Sequence, residues 1–119
     1  MNKTISSDHY LKAIYQLQQQ QPVVRRVDIA QAMAFSKPSV TRAITLLKKM
    51  GYVTVEKHQI RLTSKGKKEA ENLWQRFETI YDYLTAAGIS NDAATKDACL
   101  LEHSLSEETY HKLLNKITF

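Results

Sequence analysis

Cysteine is the scarcest chemistry in this chain: Cys99 is the only one. A lone thiol cannot form an intramolecular disulfide, which suits a reducing compartment and predicts a cytoplasmic location. Proline and glycine are almost as rare, at two and three residues. That excludes a collagen-like or low-complexity chain and leaves no flexible linker between domains. No apolar run is long enough to span a bilayer, and residues 1–7 show no signal-peptide core. Acidic residues are missing from one half in particular. Residues 1–68 hold 13 Lys and Arg against 3 Asp and Glu, a balance of +10, whereas residues 69–119 hold 4 against 9, a balance of −5. A basic half joined to an acidic one is the footprint of a polyanion-binding domain beside a domain that does not bind polyanions.

What is present is a chain of 119 residues with 43% hydrophobic and 24% charged content, enough for a hydrophobic core without metal or disulfide staples. Tyr10, Ile14 and Leu17 recur at helical spacing and predict a helix over 7–21, capped by Ser6 or Ser7 and ended by Pro22. A short helix follows over 27–34, with Asp28 compensating for the absence of a Ser or Thr cap. Pro38 opens a third helix over 39–50, whose inner face is Val40, Ile44 and Leu47 and whose stop is Gly51. Two β-like runs, 52–55 and 59–63, flank the charged tip Glu56-Lys57-His58 and predict a hairpin. Helix–turn–helix plus hairpin is the winged form of the DNA-binding helix-turn-helix.

A long helix is predicted over 64–86, ended by Gly88. Ala70, Leu73, Trp74, Phe77, Ile80, Tyr81 and Leu84 give it a broad apolar face, suited either to core packing or to a second copy of the chain. Two more helices close the chain. One covers 92–104, and the other starts at the cap Ser106 and turns Tyr110, Leu113, Leu114 and Ile117 inward. The fold class is therefore mostly α with one small β-hairpin.

Lys37, Ser39, Thr41 and Arg42 fall at the N-terminal end of the third helix, where a recognition helix meets base edges. Arg42 can donate two hydrogen bonds to a guanine, and Ser39 and Thr41 can bond bases or phosphates. Arg25, Arg26, Lys57, Arg61 and Lys65 surround this end and suit phosphate contacts. Near the other terminus, Cys99, Glu102 and His103 stand three and four residues apart, so a helix places them on one face. A thiolate, a carboxylate and an imidazole together suit a divalent transition metal. His9, in the first helix, could supply a fourth ligand if that helix packs against the acidic domain. No His-Glu-x-x-His motif or second catalytic carboxylate is present, so the chain is not read as an enzyme and no catalytic residue is assigned. A metal-independent or thiol-redox winged-helix transcription factor, with a decayed metal site, stays open as an alternative.

The segments His9-Tyr10-Leu11-Lys12-Ala13-Ile14-Tyr15, Asp28-Ile29-Ala30, Pro38-Ser39-Val40-Thr41, Leu62-Thr63-Ser64-Lys65-Gly66 and Cys99-Leu100-Leu101-Glu102-His103-Ser104-Leu105-Ser106 give the chain its resemblance. It resembles the diphtheria-toxin-repressor family of iron- and manganese-dependent transcriptional regulators, in a short form without the C-terminal β-barrel domain. The resemblance implies a winged helix-turn-helix DNA-binding domain over 1–70 and a helical dimerisation and metal-binding domain over 71–119. It implies a homodimer that represses from a palindromic DNA operator. It also implies a primary metal site of His9, Cys99, Glu102 and His103. The Cys-x-x-Glu-His pattern is that of the iron-type branch, so Fe2+ is expected, with Zn2+ and Mn2+ as alternatives. The manganese branch has a second carboxylate where this chain has Lys12, and the family's ancillary site falls on Phe77, Tyr81 and Thr95. One metal per subunit is therefore expected.

Overall fold

The structure, a computed structural model, describes residues 5–114. Its elements run α1 (Ile5–Gln20), α2 (Arg26–Met33), α3 (Lys37–Lys49), β1 (Val53–Glu56), β2 (Gln59–Leu62), α4 (Ser64–Ala86), α5 (Asn91–Ser104) and the short α6 (Glu107–Thr109). A π-helical turn, Tyr110–Leu114, continues α6. The sequence-derived fold class holds: a helix-turn-helix, a two-stranded antiparallel hairpin, then helices. The chain divides into two compact units, residues 1–71 and 72–119. Among the described residues no helix is long and apolar enough to cross a membrane.

In the first unit, Leu11 and Ile14 of α1, Ile29 of α2, Val40, Ile44 and Leu47 of α3, and Val53 and Ile60 of the hairpin are buried together with Val24. Helix α1 begins at Ile5, so Ser6 and Ser7 lie within it and do not cap it; the Ser7 side chain is buried. Helix α2 has Arg25 at its cap position, and the Asp28 carboxylate accepts the Arg25 N–H at 2.8 Å, which supplies the missing cap from inside the first turn. Ser36 caps α3 by accepting the Ser39 N–H, and Pro38 occupies the first turn where its missing donor costs nothing. At the other end Met50 is the cap and Gly51 follows it with φ +81°. The Tyr52 N–H reaches the Leu47 carbonyl at 2.9 Å and the Gly51 N–H reaches Lys48 at 3.1 Å, a Schellman ending.

The hairpin pairs Val53 with Leu62 through to Glu56 with Gln59. Glu56 is thus in the strand, and the wing closes over Lys57 and His58 alone, with φ of 50° and 67°. Both residues are left-handed, as a two-residue type I′ turn demands, but neither is the Gly or Asn that takes this backbone cheaply. Bonds fix the wing to α1 and to the segment after it: Gln18 accepts the Leu62 N–H at 2.9 Å, and Val24 accepts the Ile60 N–H at 2.8 Å.

Helix α4 keeps its expected bounds. Thr63 caps it, accepting the Gly66 N–H at 3.0 Å while donating its hydroxyl to the Gly51 carbonyl at 2.6 Å. Its C-terminus is a second Schellman ending, with Gly88 at φ +92° and the Ile89 N–H on the Leu84 carbonyl at 3.1 Å. In the second unit α4 buries Leu73, Arg76 and Ile80, and α5 buries Ala94, Ala98 and Glu102. Ser90 and Ser106 cap α5 and α6. Tyr110 is buried as expected. The side chains of Leu113, Leu114 and Ile117, also expected inside, lie outside the described set.

Candidate metal centre and nucleic-acid interface

Helix α3 exposes Lys37, Thr41 and Arg42 near its N-terminal end. Ser39 is half-buried and already engaged: it receives the Ser36 hydroxyl at 2.9 Å and one Arg42 guanidinium N–H at 3.3 Å. Ser39 therefore steadies Arg42, which is itself exposed. On the wing, Lys57 and Arg61 are exposed. Arg25 is exposed before α2, while Arg26 is half-buried at its start. Every one of these cations belongs to the first unit. Lys65 differs from the sequence expectation. Its ammonium donates to the Met50 carbonyl at 2.9 Å and lies 4.8 Å over the Tyr52 ring. That lysine satisfies the end of α3, so it serves the fold before it serves a phosphate.

The candidate ligands divide between the units. His9 is half-buried on α1 of the first. Helix α5 of the second brings Cys99, Glu102 and His103 onto neighbouring positions of one face, because residues three and four apart overlie one another. The Glu102 side chain is fully withdrawn from water and the His103 side chain is 4% exposed; Oε1 of the first lies 3.5 Å from Nε2 of the second. Cys99, half-buried one turn earlier on the same helix, does not bring its sulfur into one ligand cluster with them. A carboxylate taken out of water is costly unless a cation or donors compensate. A buried carboxylate beside an imidazole is the start of a donor set that a borderline divalent metal fits.

The three positions where the family's second site falls offer little to a metal. Phe77 packs edge-on against Trp74 at 5.8 Å and stacks on Tyr81 at 5.9 Å. The Thr95 hydroxyl donates to the Asn91 carbonyl at 2.8 Å.

One residue escaped the sequence reading. Arg76 is 5% exposed on α4. Its guanidinium donates to Glu107 at 2.9 Å and to the Leu105 carbonyl at 2.6 Å, and lies 4.7 Å over the Tyr110 ring. Leu105 is the C-cap of α5, two positions after His103, so Arg76 anchors the end of the ligand-bearing helix. The signal was available: Arg76 shares a face with Leu73 and Ile80, an unusual place for a charge.

Residues 4–59 match the iron-dependent repressor N-terminal DNA-binding domain, and residues 63–119 match the iron-dependent repressor metal-binding and dimerisation domain. The HTH-type transcriptional regulator MntR of Bacillus subtilis is 36% identical over 104 residues, covering 87% of this chain and 73% of that protein. Among solved structures, the metal-dependent transcriptional regulator MtsR superposes with a TM-score of 0.84 at 28% identity, over 92% of this chain and 52% of its own. ScaR with bound Zn2+ gives a TM-score of 0.78 at 26% identity, over 90% of this chain and 51% of its own. The chain thus spans about half the length of those two solved relatives.

Proposed function

This chain belongs to the iron-dependent repressor family of metal-dependent transcriptional regulators, and on that premise we propose that it is an Fe2+-responsive repressor that binds a palindromic operator as a homodimer, with one metal per subunit. The observation that carries the metal part is the end of α5: a fully buried Glu102 carboxylate 3.5 Å from His103, with Cys99 on the same helical face. His9 is the ligand we assign from the first unit.

His9, Cys99, Glu102 and His103 are the residues that would hold a divalent cation, which would then supply a cross-link between the two units. The residues do the rest. Arg42 and its neighbours on α3 read the operator, Arg25, Arg26, Lys57 and Arg61 hold phosphates, and the second unit pairs the subunits. A palindrome fixes the spacing of two recognition helices. Ligands drawn from both units therefore link metal occupancy to DNA affinity, by roughly 1–3 kcal/mol in typical allosteric proteins. Among the relatives, ScaR is solved with bound Zn2+ and SloR is a manganese regulator. For this chain the Cys99 thiolate makes the donor set softer than an all-oxygen site and favours Fe2+, with Zn2+ next and Mn2+ last.

The test is operator binding, with the operator selected from a random duplex pool, titrated with Fe2+, Zn2+ and Mn2+ under anaerobic conditions. Fe2+ should tighten binding about 5–150-fold. His103→Ala should remove that stimulation while keeping a folded circular-dichroism spectrum. Equal operator affinity with and without chelator would refute the proposal and favour the metal-independent alternative.

A further inference from the structure

A cavity of about 340 Å³ lies in the first unit between α1 and the recognition helix α3. We propose that it binds a small aromatic carboxylate, and that this ligand competes with DNA for Arg42. The competition rests on the DNA-binding reading above; the binding site itself does not.

The cavity has an aromatic wall, an aliphatic wall and a cationic rim. Tyr10 and Phe35 form the first, with ring centroids 5.8 Å apart and planes tilted by 51°. Tyr10 is 3% exposed, whereas Phe35 is 48% exposed. A phenylalanine half uncovered on a helix-turn-helix turn leaves apolar area in water that a planar guest would cover. Ala43 and Leu46 of α3 form the second wall, and Arg42 and Ser39 form the rim. None of the described lining residues is acidic. The guanidinium is a planar fork matched to a carboxylate. The rim also lies within the first turns of α3, whose dipole favours an anion. Burial raises the Tyr10 pKa, although the Arg42 charge opposes that rise, so this wall is an uncharged phenol. The volume falls at the small end of ordinary ligand sites, about 300–1,000 Å³. One aromatic ring with one anionic group satisfies both walls and the rim. A DNA phosphate would satisfy the rim alone.

Arg42 is also the residue placed to read a base edge. A carboxylate held by it removes it from the major groove, so ligand and DNA exclude one another and their affinities are reciprocally linked.

The experiment uses the full chain, isotopically labelled and free of metal. Sodium benzoate is titrated in while backbone amide shifts are followed, with sodium acetate and inorganic phosphate as parallel probes. Saturable shifts are expected at Phe35, Ser39, Arg42 and Ala43, with benzoate at least tenfold tighter than either control. Phe35→Ala should lose at least tenfold in benzoate affinity and keep a folded spectrum. In fluorescence anisotropy with a labelled duplex, benzoate should release DNA from the wild type but not from Phe35→Ala, which should bind the duplex as the wild type does. Acetate or phosphate binding as tightly as benzoate would overturn the proposal, since the site would then be a bare anion contact. Shifts that do not saturate, or that scatter over the chain, would overturn it too. Failure of every duplex to bind would count against the DNA reading only, because the benzoate shifts judge the cavity separately.

Discussion

Gly66→Ala tests the junction between wing and dimer-domain helix, because two elementary effects predict opposite signs. Gly66 lies in the first turn of α4, and helix propensity alone makes Ala better there by about 1 kcal/mol. The packing says otherwise. A Cβ added at Gly66 falls on the Tyr52 carbonyl oxygen, 2.9 Å from its carbon and 3.2 Å from a Leu62 methyl. The obstacle is backbone, and that backbone is fixed. Tyr52 donates its N–H to Leu47 and its carbonyl accepts the Thr63 N–H, both at 2.9 Å. Overpacking of a well-filled site costs about 1–3 kcal/mol, and weakening the bond from Thr63 adds about 1 kcal/mol. After the propensity gain, the net loss should be about 2 kcal/mol. For a chain of this size that lowers the melting temperature by roughly 8 °C. Calorimetry of the metal-free protein measures it. Gly51→Ala serves as a comparison: its left-handed φ of +81° costs about 1 kcal/mol, but its nearest neighbour is a Lys65 methylene carbon at 4.0 Å. A Gly66→Ala protein that melts at or above the wild type would show that the close approach to Tyr52 does not exist.

Replacing Lys57-His58 by Asn-Gly should stabilise the protein by about 1–2 kcal/mol, since both positions are left-handed; a urea midpoint that does not rise would contradict that turn. Arg25→Gln should weaken duplex binding without changing sequence preference and reduce the log–log salt slope by about 1. Arg42→Ala should cost about 1–3 kcal/mol and relax the preference at one base pair, read by anisotropy over a set of single-base operator variants. Cys99→Glu should move Mn2+ ahead of Fe2+ and Zn2+ in stimulating operator binding; an unchanged order would remove the thiolate from the site. Arg76→Met should cost about 2–3 kcal/mol by urea unfolding, mostly through the orphaned Leu105 carbonyl and the lost stacking on Tyr110. Glu107→Gln should cost little, because Glu107 is 67% exposed.

How far the sequence carried depended on whether a rule acts within a few residues. Helix α4 could be ended from the sequence because Gly88 is local stop chemistry, and the structure uses it so. The α5 trio was legible for the same reason: a helix has one geometry, so positions 99, 102 and 103 must share a face. The errors arise where a distant partner decides. Ser6 and Ser7 resemble caps, but both lie inside α1, and the Ser7 side chain is buried. The wing tip resembles a three-residue loop, but cross-strand pairing of Glu56 with Gln59 shortens it to two strained residues that no Gly or Asn announces. Lys65 counts as a surface cation until the Met50 carbonyl, fifteen residues away, claims it.

Arg76 shows how the two kinds of information combine at the candidate site. Periodicity alone places it on the buried face of α4, where an unpaired guanidinium would be prohibitive, so a set of acceptors had to exist. The structure identifies that set as Glu107, the Leu105 carbonyl and the Tyr110 ring. Two of the three lie on the segment just after α5, and the third caps α5 itself. The charge on α4 therefore fixes where α5 ends, and with it the orientation of His103 one turn or less upstream. Metal affinity should follow this anchor through His103. Arg76→Lys keeps the charge but loses the planar fork, so it should recover part of the stability lost in Arg76→Met and less of the metal affinity. If both variants bound Fe2+ as tightly as the wild type, by direct titration of the folded protein, the anchor would be one of stability alone.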